Sequence, residues 1–142
     1  MRTRILFVCY ANMIRSQMAE GFARDLGEAF IDAYSAGVHP MGQVSEEAIE
    51  VMQEKGIDIT AQHSKGLREV PIDEMDYVVS MTNRSASDIC PPGFEGVALD
   101  WDIQDPVGEP VDRFRMTRDD IEGKVRDLIQ RIWQDGGSSN DG

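Results

Sequence analysis

Cysteine is scarce in this chain, which has two, Cys9 and Cys90, among 142 residues. A disulfide-stapled secreted scaffold is thereby excluded, and a reducing compartment in which a working thiol survives is expected. No apolar run approaches the roughly 18 to 20 residues that span a bilayer, and Ile5 to Val8 is too short for the core of a signal peptide. We therefore expect a soluble, cytoplasmic protein with no membrane partner. Basic residues are also few, 14 Lys and Arg against 26 Asp and Glu, for a formal net charge of -12. Such a field repels nucleic acid, so no nucleic-acid partner is expected, and it equally repels a phosphate-bearing substrate. Any anion site in this chain must be built from local donors. The two histidines, His39 and His63, lack metal-ligand spacing and read as surface or loop residues; no metal and no cofactor are expected.

What the chain does have is a globular composition, 41% hydrophobic and 28% charged, sufficient for a single core. Arg4 to Val8 is a continuous apolar run, as in a strand covered on both faces of a parallel sheet. Beyond the aperiodic stretch from Cys9 to Arg15, Met18, Phe22 and Leu26 recur at helical spacing behind Ser16, read as an N-cap. Phe30 to Ser35 reads as a second strand. Ala48, Ile49 and Met52 mark a helix that Ser45 caps and Gly56 ends. Tyr77 to Ser80 is a third strand, Asn83 to Ile89 a short helix before Pro91-Pro92, and Val97 to Leu99 a fourth strand. Ile121, Val125, Leu128, Ile129 and Ile132 mark a final amphipathic helix. Strands alternating with helices imply an α/β fold, a flavodoxin-like three-layer sandwich with right-handed crossovers. Residues 1–134 are expected to form a single domain and residues 135–142 a disordered tail.

In open α/β sheets ligands bind beyond the carboxyl ends of the strands, and the loop after the first strand is the favoured place. Cys9 stands there. From Cys9 through Tyr10, Ala11, Asn12, Met13 and Ile14 to Arg15 and Ser16, the chain passes from strand to helix, so its backbone N–H groups can curl around an anion while Arg15 closes the ring with a bidentate fork. The same donors stabilise negative charge on sulfur, so Cys9 is expected to react as a thiolate near neutrality. A thiolate on the floor of such a cradle is placed to attack a tetrahedral phosphorus or arsenic centre in line. A Cys-x5-Arg spacing alone says little; the strand before it and the helix after it give it weight.

The run Phe7-Val-Cys-Tyr-Ala-Asn-Met-Ile-Arg-Ser-Gln-Met-Ala-Glu20 resembles the signature of the low-molecular-weight protein tyrosine phosphatases and of their relatives, the thioredoxin-coupled arsenate reductases. Tyr34-Ser-Ala-Gly37, Gly56-Ile-Asp58 and Asp105-Pro106 resemble later landmarks, and the likeness runs from about Arg4 to Trp133. The resemblance implies a four-stranded parallel sheet in the order 2-1-3-4 with the phosphate-binding loop after strand 1. It implies a covalent intermediate on Cys9, an anion held by Arg15, and Asp105 as proton donor to the leaving oxygen and, in a phosphatase, activator of water. Asn12 and Ser16 match positions that hold the loop and the thiolate. Trp101 and Tyr10 are candidates to flank the cleft, though packing explains Trp101 equally well.

Gln17, where phosphatases usually carry proline, the short turn from Val38 to Val44, and Val107-Gly108 after Asp105-Pro106 resemble the reductases more than the phosphatases. The reductases, however, use a relay of three cysteines. Met81 occupies the expected second position at the end of the third strand, and a thioether cannot attack as a thiolate; Cys90 matches the third position, and a direct bond to Cys9 would need the two alpha carbons within about 7 Å. Ala11 replaces a glycine of the family, which implies strain if that position needs positive φ. Lys65 stands where some reductases have a carboxylate that helps to bind potassium, and its ammonium is expected to substitute for that ion near Asn12, Glu20 and Ser35. With Cys9, Arg15 and Asp105 complete and the relay incomplete, the first expectation is a hydrolase of phosphate monoesters. The second is an arsenate reductase served by thioredoxin, glutaredoxin or a low-molecular-weight thiol, with Cys90 as a redox candidate. The third is an anion-sensing module without turnover, for which the missing glycine at Ala11 is the support. Phosphate, arsenate or a phosphorylated substrate is the expected ligand.

Overall fold

The structure, a computed structural model, describes residues 2–141, with side chains described from residue 2 to residue 135. The expected tail, 135–142, therefore lies almost wholly outside the described side chains. At the centre is β1 (Thr3–Cys9), flanked by β2 (Ile31–Gly37) and β3 (Tyr77–Ser80), with β4 (Val97–Asp100) beyond β3. All pairs are parallel and the order is β2-β1-β3-β4, as expected.

Four consecutive residues of β1, Ile5 to Val8, have no exposed surface, which is why this strand reads as an unbroken apolar run rather than an alternating one. Alternation still decides which face each side chain enters. Ile5, Phe7 and Cys9 belong to the larger core, with Met18 and Phe22 of α1 (Arg15–Leu26), Val51 and Met52 of α2 (Glu46–Gln53), and Ile121 and Val125 of α4 (Val111–Asp141). Leu6 and Val8 point the other way, into a smaller cluster with Val70, Met75, Val78 and Ala86 of α3 (Ala86–Ile89). Burying a side chain the size of Phe22 or Met18 stabilises the fold by about 1.5–3 kcal/mol, so α1 is held chiefly by its apolar stripe.

Several boundaries differ from those read in the sequence. α1 starts at Arg15, its N-cap position is Ile14, and no side chain caps it; Ser16 lies inside the first turn, and its hydroxyl is engaged elsewhere. β2 runs two residues further, to Gly37, where an added Cβ would come within 2.8 Å of the Asn12 nitrogen. Only glycine lets the strand end pass so close to the loop after β1. α3 begins at Ala86 rather than Asn83, because Ser80 and Thr82 bind the backbone of Arg84 and hold that stretch as a turn, and Ser85 then caps the helix through the Ser87 amide. Ser45 caps α2 through the Ala48 amide, and Gly56, at φ 75, turns the chain away after it, both as expected.

α2 is tied to α4 by Glu54, which accepts hydrogen bonds from Arg115 and Arg118. These bonds, Arg115 first and Arg118 second, pull the Glu54 carboxyl from 4.5 down to about 2. A carboxyl whose value is lower in the folded protein adds stability that is present above its unfolded value and lost as pH falls through the folded one. Glu54→Gln is therefore expected to melt below wild type near pH 7, with the gap closing between about pH 4.5 and pH 2. Thermal melts across that range check this, and a gap that does not change with pH would contradict it.

Candidate active site

The loop after β1 is shaped by where its carbonyls go. The Cys9 carbonyl accepts from the Val38 amide at 3.1 Å, Tyr10 from His39 at 2.7 Å, Ala11 from Met41 at 3.1 Å, Met13 from Ser45 at 3.0 Å and Ile14 from Met18 at 3.0 Å. The Asn12 carbonyl accepts from the side chain of Gln17 at 3.0 Å. Every carbonyl from Cys9 to Ile14 is thus drawn outward, onto the turn after β2 or into α1. A peptide unit whose C=O points out turns its N–H in, and among the described residues no protein acceptor faces the N–H groups of Tyr10 to Arg15. With the N-terminus of α1 behind them, they form a concave set of donors for an anion.

The loop closes through Asn12, at φ 53 the one non-glycine residue with positive φ among those described. Asparagine tolerates this region better than most side chains. Ala11 does not occupy it, so the strain expected there is absent. The Asn12 amide also acts as a brace: its Nδ2 donates to Ser16 Oγ at 2.7 Å, while its Oδ1 accepts from the Lys65 backbone at 2.8 Å. Ser16 Oγ in turn lies 2.9 Å from Cys9 Sγ.

Cys9 is 3% exposed and Arg15 8%. Arg15 Nη1 donates to the carbonyls of Met81 and Ile103, and its Nη2 lies 3.5 Å from Asp105 Oδ2. The ends of β3 and of the segment after β4 therefore aim the guanidinium, leaving one edge of it toward the cup. Cys9, Ala11, Met13, Ile14, Arg15, Asp105 and Val107 line a cavity of about 40 Å³. Size does not mark this site, since a hollow beside Pro91 and Phe94 reaches about 560 Å³; the convergence of sulfur, amides and guanidinium does.

Glu20, Ser35 and Lys65 come together behind the loop. Lys65 Nζ lies 3.5 Å from Glu20 Oε1 and donates to Ser35 Oγ and the His63 carbonyl, each at 3.2 Å. Ser35 Oγ and Arg24 also donate to Glu20. Trp101 packs on Phe7, with ring centroids 5.9 Å apart, and does not line the cup; Tyr10, 54% exposed, lies against His39 at the rim. His39 and His63 are both exposed. Cys90 is half-buried in the smaller core, on the face of the sheet opposite Cys9. Both cysteines are free, and burial pushes the Cys90 thiol above its ordinary value. Sequence reasoning missed Gln62 and Arg24 as parts of this assembly and saw Gln17 only as a branch marker. Nothing in the chain announces that residue 62 folds back onto residue 17.

The family described as low molecular weight phosphotyrosine protein phosphatase matches residues 4–138, and the chain belongs to that family. The glutaredoxin arsenate reductase of Synechocystis sp. is 36% identical over 131 residues, spanning 91% of this chain and 98% of the relative. A solved arsenate reductase in the phosphate-binding state is 35% identical with a TM-score of 0.81, covering 92% of this chain and 98% of the other. An arginine phosphatase from Geobacillus stearothermophilus is 29% identical with a TM-score of 0.81, covering 94% of each chain.

Since an ammonium occupies the oxygen cage made by Glu20, Ser35 and the His63 carbonyl, a variant that exchanges it for a second carboxylate should acquire a need for a free cation. Lys65→Asp is expected to melt several degrees higher in potassium chloride than in a large organic cation at equal ionic strength, whereas wild type melts alike in both. Equal melting of the variant in both salts would refute the substitution.

Proposed function

We propose that this member of the low molecular weight phosphotyrosine protein phosphatase family reduces arsenate, with Cys9 as nucleophile and an external thiol as reductant. The observation that carries the reading is the cup itself: a small cavity with a sulfur at its floor and inward amides around it suits a free tetrahedral anion. The relatives named as arsenate reductases favour this reading over the hydrolase that the sequence placed first. The sensing module loses its support, because positive φ falls on Asn12 and the loop does not need a glycine at Ala11.

In the proposed reaction the loop amides and Arg15 hold the oxygens of arsenate while the Cys9 thiolate attacks arsenic. Asp105 gives its proton to the departing oxygen, which leaves as water, and a Cys9 sulfur–arsenic(V) bond remains. A thiol of the reductant then attacks Cys9 Sγ. The sulfur–arsenic electron pair stays on arsenic, which departs as arsenite, and Cys9 is left in a mixed disulfide. A second thiol opens that disulfide and returns Cys9 as a thiolate, so that two thiols are oxidised for each arsenic reduced. Thioredoxin, glutaredoxin or a low-molecular-weight thiol fills this role in a cytoplasmic setting; among the described residues no helix is long and apolar enough to cross a membrane. The opposite-face placement of Cys90 supports an external reductant.

A second reading, hydrolysis of a phosphate monoester through a cysteinyl-phosphate, is supported by Asp105 beside Arg15 and by the likeness to the arginine phosphatase. Arsenite formation with each of the three reductants, measured beside aryl phosphate hydrolysis in one preparation, separates the two. We expect Cys9→Ser to lower both rates by at least about a thousandfold and Asp105→Asn by about a hundredfold or more. Cys90→Ser should keep arsenite formation within about twofold of wild type. A large loss in Cys90→Ser without a change in melting temperature would restore an internal relay, and aryl phosphate hydrolysis without any arsenite would establish the hydrolase.

A further inference from the structure

Gln17 is fully buried, as are Asn12 and Ser16, and Gln62 is 9% exposed. Together with Arg24 they form an unbroken row that ends at the sulfur. Arg24 Nη1 donates to Gln62 Oε1 at 2.8 Å, Gln62 Nε2 to Gln17 Oε1 at 2.7 Å and Gln17 Nε2 to Asn12 Oδ1 at 2.9 Å. Asn12 Nδ2 donates to Ser16 Oγ at 2.7 Å, and Ser16 Oγ lies 2.9 Å from Cys9 Sγ.

Each amide in the row has its orientation imposed by a partner that can play one role only. Gln62 Nε2 also faces the Gln17 backbone carbonyl at 3.0 Å, and its Oε1 faces a guanidinium. Gln17 Nε2 also faces the backbone carbonyls of Asn12 and His63. Asn12 Oδ1 faces the donor-only amide of Lys65. All the dipoles therefore run the same way, donor toward Cys9. Ser16, already accepting from Asn12, has its own proton left to give, and a sulfur anion is the partner that takes it. Hydrogen bonds in series polarise one another by about 10–30% per bond.

We propose that Gln17, Gln62 and Arg24 are positioning residues that hold Cys9 as a thiolate through this one-directional relay. The inference rests on Cys9 being the reacting thiol and needs no substrate, so it stands or fails apart from the choice between arsenate and a phosphate ester. Arg15 and Asp105 face the sulfur from within the cup, Tyr10 and His39 lie at its rim, and Glu20 and Lys65 lie behind the loop. The relay acts in addition to these charges and to the dipole of α1.

Gln62→Glu tests the polarity with little change of shape. A carboxylate at that position accepts from Arg24 but cannot donate to Gln17. The pH midpoint for alkylation of Cys9 by iodoacetamide, followed on the Cys9 peptide by mass spectrometry, is expected to rise by about half to one unit. Arg24→Gln, at a position whose side chain is 52% exposed, keeps the fold and removes the charge at the head, with a smaller rise in the same direction. Glu20, Cys9 and Gln62 are all buried, so salt screens a carboxylate's field on the sulfur poorly. Gln62→Met, which removes the donor to Gln17 without adding a charge and leaves Arg24 paired with Glu20, separates the relay from that field. A rise in Gln62→Met as well supports the relay. Unchanged midpoints in the folded variants, or a rise confined to the two variants that change charge, would overturn it; should Gln62→Glu not fold, Gln62→Met and Arg24→Gln decide.

Discussion

The outward hydrogen bonding of the carbonyls from Cys9 to Ile14 is the arrangement on which the proposed anion site depends. In a chain of net charge -12 the long-range field works against any phosphate or arsenate. A local cluster of N–H groups overcomes that field only if they all point one way, and they do so because the turn after β2 and the side chain of Gln17 take the carbonyls from the other side. Gly37 permits the close approach, and α1 places its N-terminus behind the same loop. Strand, turn and helix thus converge on one small volume, and the sulfur of Cys9 is at its floor.

The alternation of side chains along β1 then decides which core Cys9 enters. Cys9 falls on the face that carries α1, α2 and α4, whereas Cys90, at the end of α3, packs on the other. A parallel sheet separates them, and its backbone is hydrogen-bonded on both sides. On the reading proposed above, sulfur chemistry begun at Cys9 calls for a thiol from outside the fold.

Behind the loop, two cations, Arg24 and Lys65, face one buried carboxylate, Glu20, and the buried amides of Asn12, Gln17 and Gln62 are fully engaged. Among the described residues no buried side-chain nitrogen or oxygen lacks a partner. A network of this kind is rigid because each missing bond would leave a polar group uncompensated in a low dielectric. Rigidity is what an oxyanion cradle needs, since its donors must be in place before charge develops.

Much of this was legible in the chain. The apolar run before Cys9, the helical spacing of Met18 and Phe22, and the caps at Ser45 and Gly56 determined the parallel α/β fold, because backbone periodicity and turn chemistry are local. The Cys9 to Arg15 loop was visible for the same reason. Tertiary structure alone decided that Asn12 rather than Ala11 takes positive φ, that Ser16 serves the sulfur rather than the helix end, that Cys90 faces away, and that Gln62 joins Gln17. Each of these depends on which groups from distant segments meet, and a hydrogen bond between residues 45 positions apart leaves no periodic trace along the chain.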